Sequence, residues 1–213
     1  MQHPFIIDNI PQQPFNNYQL QLNDYLLIIQ PHEDLYNKIM SLKKSFAETY
    51  DCPTAAYSKP HITLLRFMQC NMQEANIIRQ LEKITTTAQP FSIVLNGFGS
   101  FPTHTIYVNV ETKNNIVQLV KQLKPVQSLL KLDKERKPHF ITEPHLTLAR
   151  KLLPWQYEKA WLQYSNTPFT TSFMASKLLL LKRQEDSKGY TIAATLPLLN
   201  KQPAVTTQAS LFT

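Results

Sequence analysis

Two stretches of the chain carry the same polar pattern: Pro60 to Arg66 reads PHITLLR, and Pro144 to Arg150 reads PHLTLAR. In each, a histidine stands two residues ahead of a threonine, and the two histidines, His61 and His145, are 84 residues apart. If both stretches are strands, residues i and i+2 share a face, so His61 projects with Thr63 and His145 with Thr147. Ile62, Leu64, Leu146 and Leu148 then turn to the core. One such pair alone is explained by a satisfied core histidine beside a threonine of high β-propensity. Two pairs related by a pseudo-two-fold would place two imidazoles and two hydroxyls in one cleft. Imidazole titrates near neutrality, so one ring can take a proton while the other gives one. Threonine hydroxyls donate to phosphoryl oxygens, and an imidazolium offsets the charge that develops there. The set suits in-line displacement at phosphorus in a phosphodiester, a reaction that need not involve a metal.

The elements that would position these groups follow from the apolar pattern. DYLLIIQ (Asp24 to Gln30) is a buried strand stopped by Pro31. Leu35, Ile39, Leu42 and Phe46 recur at helical spacing, with Lys38, Lys43 and Lys44 on the wet side. HITLLRFM is a strand, and Asn71 can cap a helix bearing Ala75, Ile78 and Leu81. FSIVLNGFG and THTIYVNVE are strands around the breakers Gly97, Gly99 and Pro102. The second half repeats the course. A helix from Asn114 or Asn115 is interrupted by Pro125, and PHLTLAR is the next strand. Pro154 opens the helix WQYEKAWLQY, and SKLLLLKRQ with GYTIAATLPL makes a hairpin turning at Asp186 to Gly189. This shared order of elements supports an internal duplication.

Composition narrows the class. The 213 residues fit one domain, divided as an N-terminal arm (1–23), a two-lobed body (24–200) and a C-terminal tail (201–213). A net charge of +7 favours an acidic partner such as a phosphate ester or nucleic acid. Cys52 and Cys70 have no metal spacing and read as reduced thiols. His3, His32, His104 and His139 form no metal spacing either. Three glycines are too few for a phosphate loop or a dinucleotide fingerprint. With no signal peptide pattern and no apolar run long enough to span a bilayer, the expectation is a soluble cytoplasmic protein.

PHITL and PHLTL resemble the paired H-h-T-h motifs of the 2H phosphoesterases, the superfamily of 2′-5′ RNA ligase-like proteins and RNA 2′,3′-cyclic phosphodiesterases. The resemblance runs from about Asp24 through Leu199 by motif and element order. It implies an α+β fold, bilobal and duplicated, with two antiparallel sheets lining a central cleft and helices outside. It also implies catalysis by His61 and His145 without metal or cofactor, phosphate binding by Thr63 and Thr147, and an RNA or cyclic-nucleotide substrate. By analogy His145 activates water and His61 protonates the leaving 2′-oxygen. The residues after the first motif, RFMQC, differ from the L-G ending common in RNA ligase-like members, which leaves the substrate open.

Other residues are candidates for accessory roles. Arg66 and Arg150 sit at His+5, an offset that puts them on the far face of a regular strand unless a bulge intervenes. Lys134, Arg136 and Lys137 in the basic loop KLDKERKPH could hold an RNA backbone. Tyr57, Phe67, Tyr107 and Phe140 could stack on bases. The C-terminal QASLF resembles the Q-L-[SD]-L-F peptide with which bacterial replication and repair proteins dock on the sliding clamp, with Ala209 in place of the usual leucine. That resemblance implies that Leu211 and Phe212 fill an apolar pocket while Gln208 bonds at its edge. Two further readings therefore stand beside the phosphodiesterase: a nucleotide- or RNA-binding module with little chemistry, and an interaction protein docking by its tail.

Overall fold

DYLLIIQ supplies most of the first strand, β1 (Leu22–Ile29), in the computed structural model, which describes residues 21–184 and 187–202. Helix α1 (Glu33–Thr49) follows, and its first turn is held by the His32 side chain, which accepts from the Leu35 N–H at 3.5 Å. Leu35, Ile39 and Phe46 are buried as their spacing requires. Lys43 is also fully buried and does not lie on the wet side. A short helix, α2 (Thr54–Tyr57), leads into the first motif strand, β2 (Ile62–Cys70). Asn71 opens a 3-10 turn, so α3 (Glu74–Thr87) begins three residues later than its expected cap.

Strands β3 (Phe91–Phe101) and β4 (Thr105–Val110) form a hairpin. Helix α4 (Lys113–Gln122) stops ahead of Pro125, and a 3-10 turn and α5 (Gln127–Leu130) follow. The two-residue β5 (His139–Phe140) precedes the second motif strand, β6 (His145–Arg150). Pro154 is the first residue of α6 (Pro154–Tyr164), where its missing N–H has no partner to lose. Strands β7 (Thr170–Ala175), β8 (Lys177–Gln184) and β9 (Thr191–Pro197) complete the described chain. Of the expected turn at Asp186 to Gly189, Asp186 lies outside the described residues. So do Gln208, Leu211 and Phe212 of the tail. Among the described residues no helix is long and apolar enough to cross a membrane.

The strands join one antiparallel sheet in the order β7-β3-β4-β6-β2-β1-β8-β9, with β5 beside β2. The two sheets expected from the resemblance are thus two halves of one sheet. The motif strands β2 and β6 meet at a single residue pair, Ile62 with Leu146. Each residue of that pair holds the other's place in the repeat, so an approximate two-fold axis passes between them. The halves also exchange parts. β3 follows the first motif in sequence, yet it pairs with β4 and through it adjoins β6. β8 follows the second motif, yet it pairs with β1 beside β2. In the same way α1 packs behind β6 and α4 behind β2.

Both motif strands are irregular at the same place. Between β1 and β2 the partners step from Leu27–Leu65 to Ile28–Thr63, leaving Leu64 unpaired. Between β4 and β6 they step from Ile106–Ala149 to Tyr107–Thr147, leaving Leu148 unpaired. One extra residue reverses the alternation beyond it. Leu64 with Leu65, and Leu148 with Ala149, are accordingly both buried, and Arg66 and Arg150 emerge exposed. The bulge puts both arginines on the face of the histidines, so the far-face expectation from a regular strand does not hold. On the core side Tyr25 stacks on Phe67 with centroids 4.9 Å apart. Phe67 and Phe140 are both buried and serve the core, not base stacking.

Arg66 is bound in place by a buried carboxylate. Asp24 accepts from Arg66 Nε at 3.1 Å and Nη2 at 2.8 Å, from Arg183 Nη2 at 2.9 Å and from the Tyr190 hydroxyl at 2.6 Å. Burial pushes the Asp24 carboxyl up, but the bonds from Arg66 and Tyr190 and the two guanidinium charges hold it below its ordinary value. Its stabilisation is therefore present above an unfolded-state pKa of about 3.9 and is lost as pH falls through the lower folded value. Asp24→Asn should cost about 1–3 kcal/mol near neutrality. Urea denaturation at about pH 7 and about pH 3 checks this, and the gap between variant and wild type should shrink at the lower pH.

Candidate active site

The two motif histidines are held in the same way. His61 Nδ1 lies 2.7 Å from the carbonyl oxygen of Lys59, and His145 Nδ1 lies 2.8 Å from that of Glu143. A carbonyl can only accept, so each Nδ1 must carry the hydrogen, and Nε2 is left as the ring nitrogen able to exchange a proton. The prolines Pro60 and Pro144, just ahead of the histidines, bias the preceding residue toward extended backbone. Continuing the register one residue either side of Ile62–Leu146 sets His61 across from Thr147, and His145 across from Thr63. Each imidazole therefore faces the hydroxyl of the other motif. All four side chains are half-buried. Among the described residues neither threonine hydroxyl nor either Nε2 has a hydrogen-bond partner.

The surroundings of the two rings differ. His145 is packed by aromatics: Phe101 meets it edge-on at 5.1 Å and Tyr107 lies at 5.0 Å, with Phe101 and Tyr107 themselves 4.8 Å apart. Tyr107 and Asn109 lean over Gly99, where an added Cβ would come within 2.5 Å of the Tyr107 ring and also strike Asn109. Gly99 is thus required by close approach. His61 faces cations instead. Burial lowers its pKa, and the charges of Lys43, Arg150 and His145 lower it further, against the bond to Lys59, which raises it. Lys43 donates from Nζ to the carbonyls of Thr147 at 2.9 Å and Leu148 at 2.6 Å, at the bulge of the second motif. Burial, then the charge of Arg150, brings its pKa down to about 8.

The other candidates divide. Tyr107 joins the site, as does Phe101, which its sequence context did not distinguish from a core residue. Tyr57 is exposed on α2. Arg150 is exposed beside His61, and among the described residues its side chain makes no ion pair or hydrogen bond. Arg66 shares the motif face but is bound to Asp24. Arg136 turns back onto Asp133 at 2.7 Å, while Lys134 and Lys137 are exposed on the loop. Lys43 was missed because its charge marks it as solvated, although its spacing, four residues after Ile39 and three before Phe46, puts it on the buried face of α1.

An antiparallel sheet with an approximate two-fold axis, bearing a His-x-Thr pair from each half at its centre, defines the 2H phosphoesterase class. The chain belongs to the 2′-5′ RNA ligase superfamily, whose family model matches residues 31–187. Two Bacillus proteins that carry the provisional name phosphoesterase are similar to it. The one from Bacillus licheniformis is 27% identical over 54% of this chain and 66% of its own length. The one from Bacillus pumilus is 28% identical over 54% of this chain and 65% of its own length. The match thus spans just under two thirds of these relatives. TT0787 of Thermus thermophilus shares the fold at a TM-score of 0.55 and 18% identity, covering 84% of this chain and 100% of that one. Escherichia coli LigT does so in its complex with ATP (TM-score 0.54, 15% identity) and with 3′-AMP (0.55, 14%), each covering 84% of this chain and 98% of LigT.

The depressed His61 pKa has a measurable consequence. Because the unfolded ring takes a proton first as pH falls, stability declines below about 6.5 and levels off under the folded value. In an NMR titration of the free protein His61 should protonate below about 6.5. A midpoint above that value would contradict a desolvated ring facing cations.

Proposed function

We propose that the chain is a metal-independent phosphodiesterase that opens 2′,3′-cyclic phosphates, or related 2′-linked esters, of RNA or small nucleotides. The observation that carries this reading is the matched pair of imidazoles, each with Nδ1 fixed on a backbone carbonyl and each set by register across from the other motif's threonine. Water attacks phosphorus as its proton passes to one Nε2. The bond to the leaving ribose oxygen breaks as the other imidazolium supplies a proton. Thr63, Thr147 and Arg150 bind the non-bridging oxygens, where charge builds in the transition state. The nucleotides in the LigT crystals, ATP and 3′-AMP, support a nucleotide-bearing substrate for this cleft.

The roles implied by the resemblance, His145 as base and His61 as acid, place a demand on the ligand. In the free protein burial and the charges of Lys43 and Arg150 favour neutral His61. An anionic phosphate between the rings reverses that balance and restores the proton to His61. The base-like histidine of the free protein thus becomes the acid of the complex.

Turnover should be sought in chelator, with cyclic nucleotides, cyclic-phosphate-ended RNA and 2′-5′-linked oligonucleotides as substrates. His61→Ala and His145→Ala should each lower kcat about 10²- to 10⁴-fold, or roughly 3–5 kcal/mol. The double variant should lose less than the sum, since the rings act as a unit. Near-full turnover in either single variant would refute the two-histidine mechanism, and nucleotide binding without turnover would leave a binding module. The two arginines should also part company. Arg150→Met is expected to reduce kcat/KM about tenfold, the value of a charge-assisted bond. Arg66→Met should act on stability, with kcat/KM nearly unchanged.

A further inference from the structure

The two motif bulges expose equivalent carbonyls but satisfy them differently. At the first, the Leu64 carbonyl accepts from the backbone N–H of Ile141, just after β5, at 2.9 Å. A neutral amide is enough there. At the second, the carbonyls of Thr147 and Leu148 both accept from the Lys43 ammonium, which reaches them from α1. Lys43 is fully buried, and among the described residues no carboxylate pairs with it. The groups of charge or titratable character that face it are Arg150 on β6 and Cys52 after α1, and its own charge acts on His61. A buried ammonium without a counter-ion is costly unless something anionic offsets it.

We propose that Lys43 is a positioning residue of the phosphodiester site: its ammonium clamps the Thr147–Leu148 bulge that aims Thr147 and Arg150 into the cleft, and its charge is balanced by the bound phosphate. The inference rests on the phosphodiester reading of the cleft. It assigns the charge of Lys43 a purpose that the carbonyl bonds alone do not require, since the first bulge is closed by an amide. It also accounts for the strained balance at neutral pH, where burial and Arg150 bring the ammonium pKa down to about 8. A phosphodiester anion nearby would raise it again and hold the proton on Lys43.

The test compares Lys43→Met, which removes donor and charge, Lys43→Gln, which keeps a neutral donor, and Lys43→Arg, which keeps the charge. Each is read by NMR of the histidine rings, first titrated alone and then with inorganic phosphate. Removing the positive charge should raise the His61 midpoint in the Met and Gln variants and weaken phosphate binding at least tenfold, with Arg the nearest to wild type. A pure packing role would move neither reading selectively. Unchanged His61 titration and phosphate affinity in a folded Met or Gln variant would overturn the proposal, as would full rescue by Gln. If neither charge-removing variant folds, Lys43 is a core residue and the proposal also falls. If phosphate fails to shift either ring even in the wild type, the phosphodiester reading fails with it.

Discussion

The molecule turns on one backbone contact. Ile62 and Leu146 pair across the approximate two-fold axis, and beyond that pair the motif strands part. An antiparallel contact between equivalent residues sets each histidine opposite the other motif's threonine, an arrangement that a parallel or shifted register would destroy. With β2 and β6 diverging, β5 takes up part of the edge of β2. The bulges after Thr63 and Thr147 then bring a third polar residue of each strand onto the same face. Position in the repeat, not sequence proximity, decides which side chains share the cleft.

The two halves of the sheet are alike in their strand order about Ile62–Leu146, but charge makes them unequal. In the first half Asp24 occupies the guanidinium of Arg66, helped by Arg183 and Tyr190. In the second, no carboxylate among the described residues pairs with the exposed Arg150, Lys43 lies under the bulge, and aromatic rings pack against His145. Two identical half-sites would favour the same proton state on both rings. Acid–base chemistry needs one ring with a proton and one without, so unequal surroundings suit the reaction proposed for the site.

Much of this was legible in the chain because it is local. The strand parity of PHITLLR and PHLTLAR depends on neighbouring residues alone, as do the proline-set ends of β1, α4 and α6. What escaped is set by distant partners. Strand β7 (TTSFMA) buries only Phe173 and Ala175, too few apolar positions to stand out, and it forms by pairing with β3. The bulges arise from register with β1 and β4, and no local pattern marks them. Lys43 shares the face of Ile39 and Phe46 on its own helix, but a lysine there reads as solvated until the carbonyls of β6 that accept from it are in view. Asp24 looked like the polar end of a strand until the arginines of β2 and β8 converged on it.

The reciprocal exchange of strands also bears on how the chain can assemble. Leu26 of β1 lies opposite Arg66 on one edge but opposite Leu181 on the other. As the polypeptide leaves the ribosome, β1 and β2 can pair early, yet β1 keeps an open edge until the far later β8 emerges. An exposed, apolar strand edge is a template for wrong pairing, and contacts this far apart in sequence form slowly. The architecture that brings two distant motifs together therefore makes the interval between the emergence of β1 and that of β8, when this edge lies open, the vulnerable one in the life of the protein.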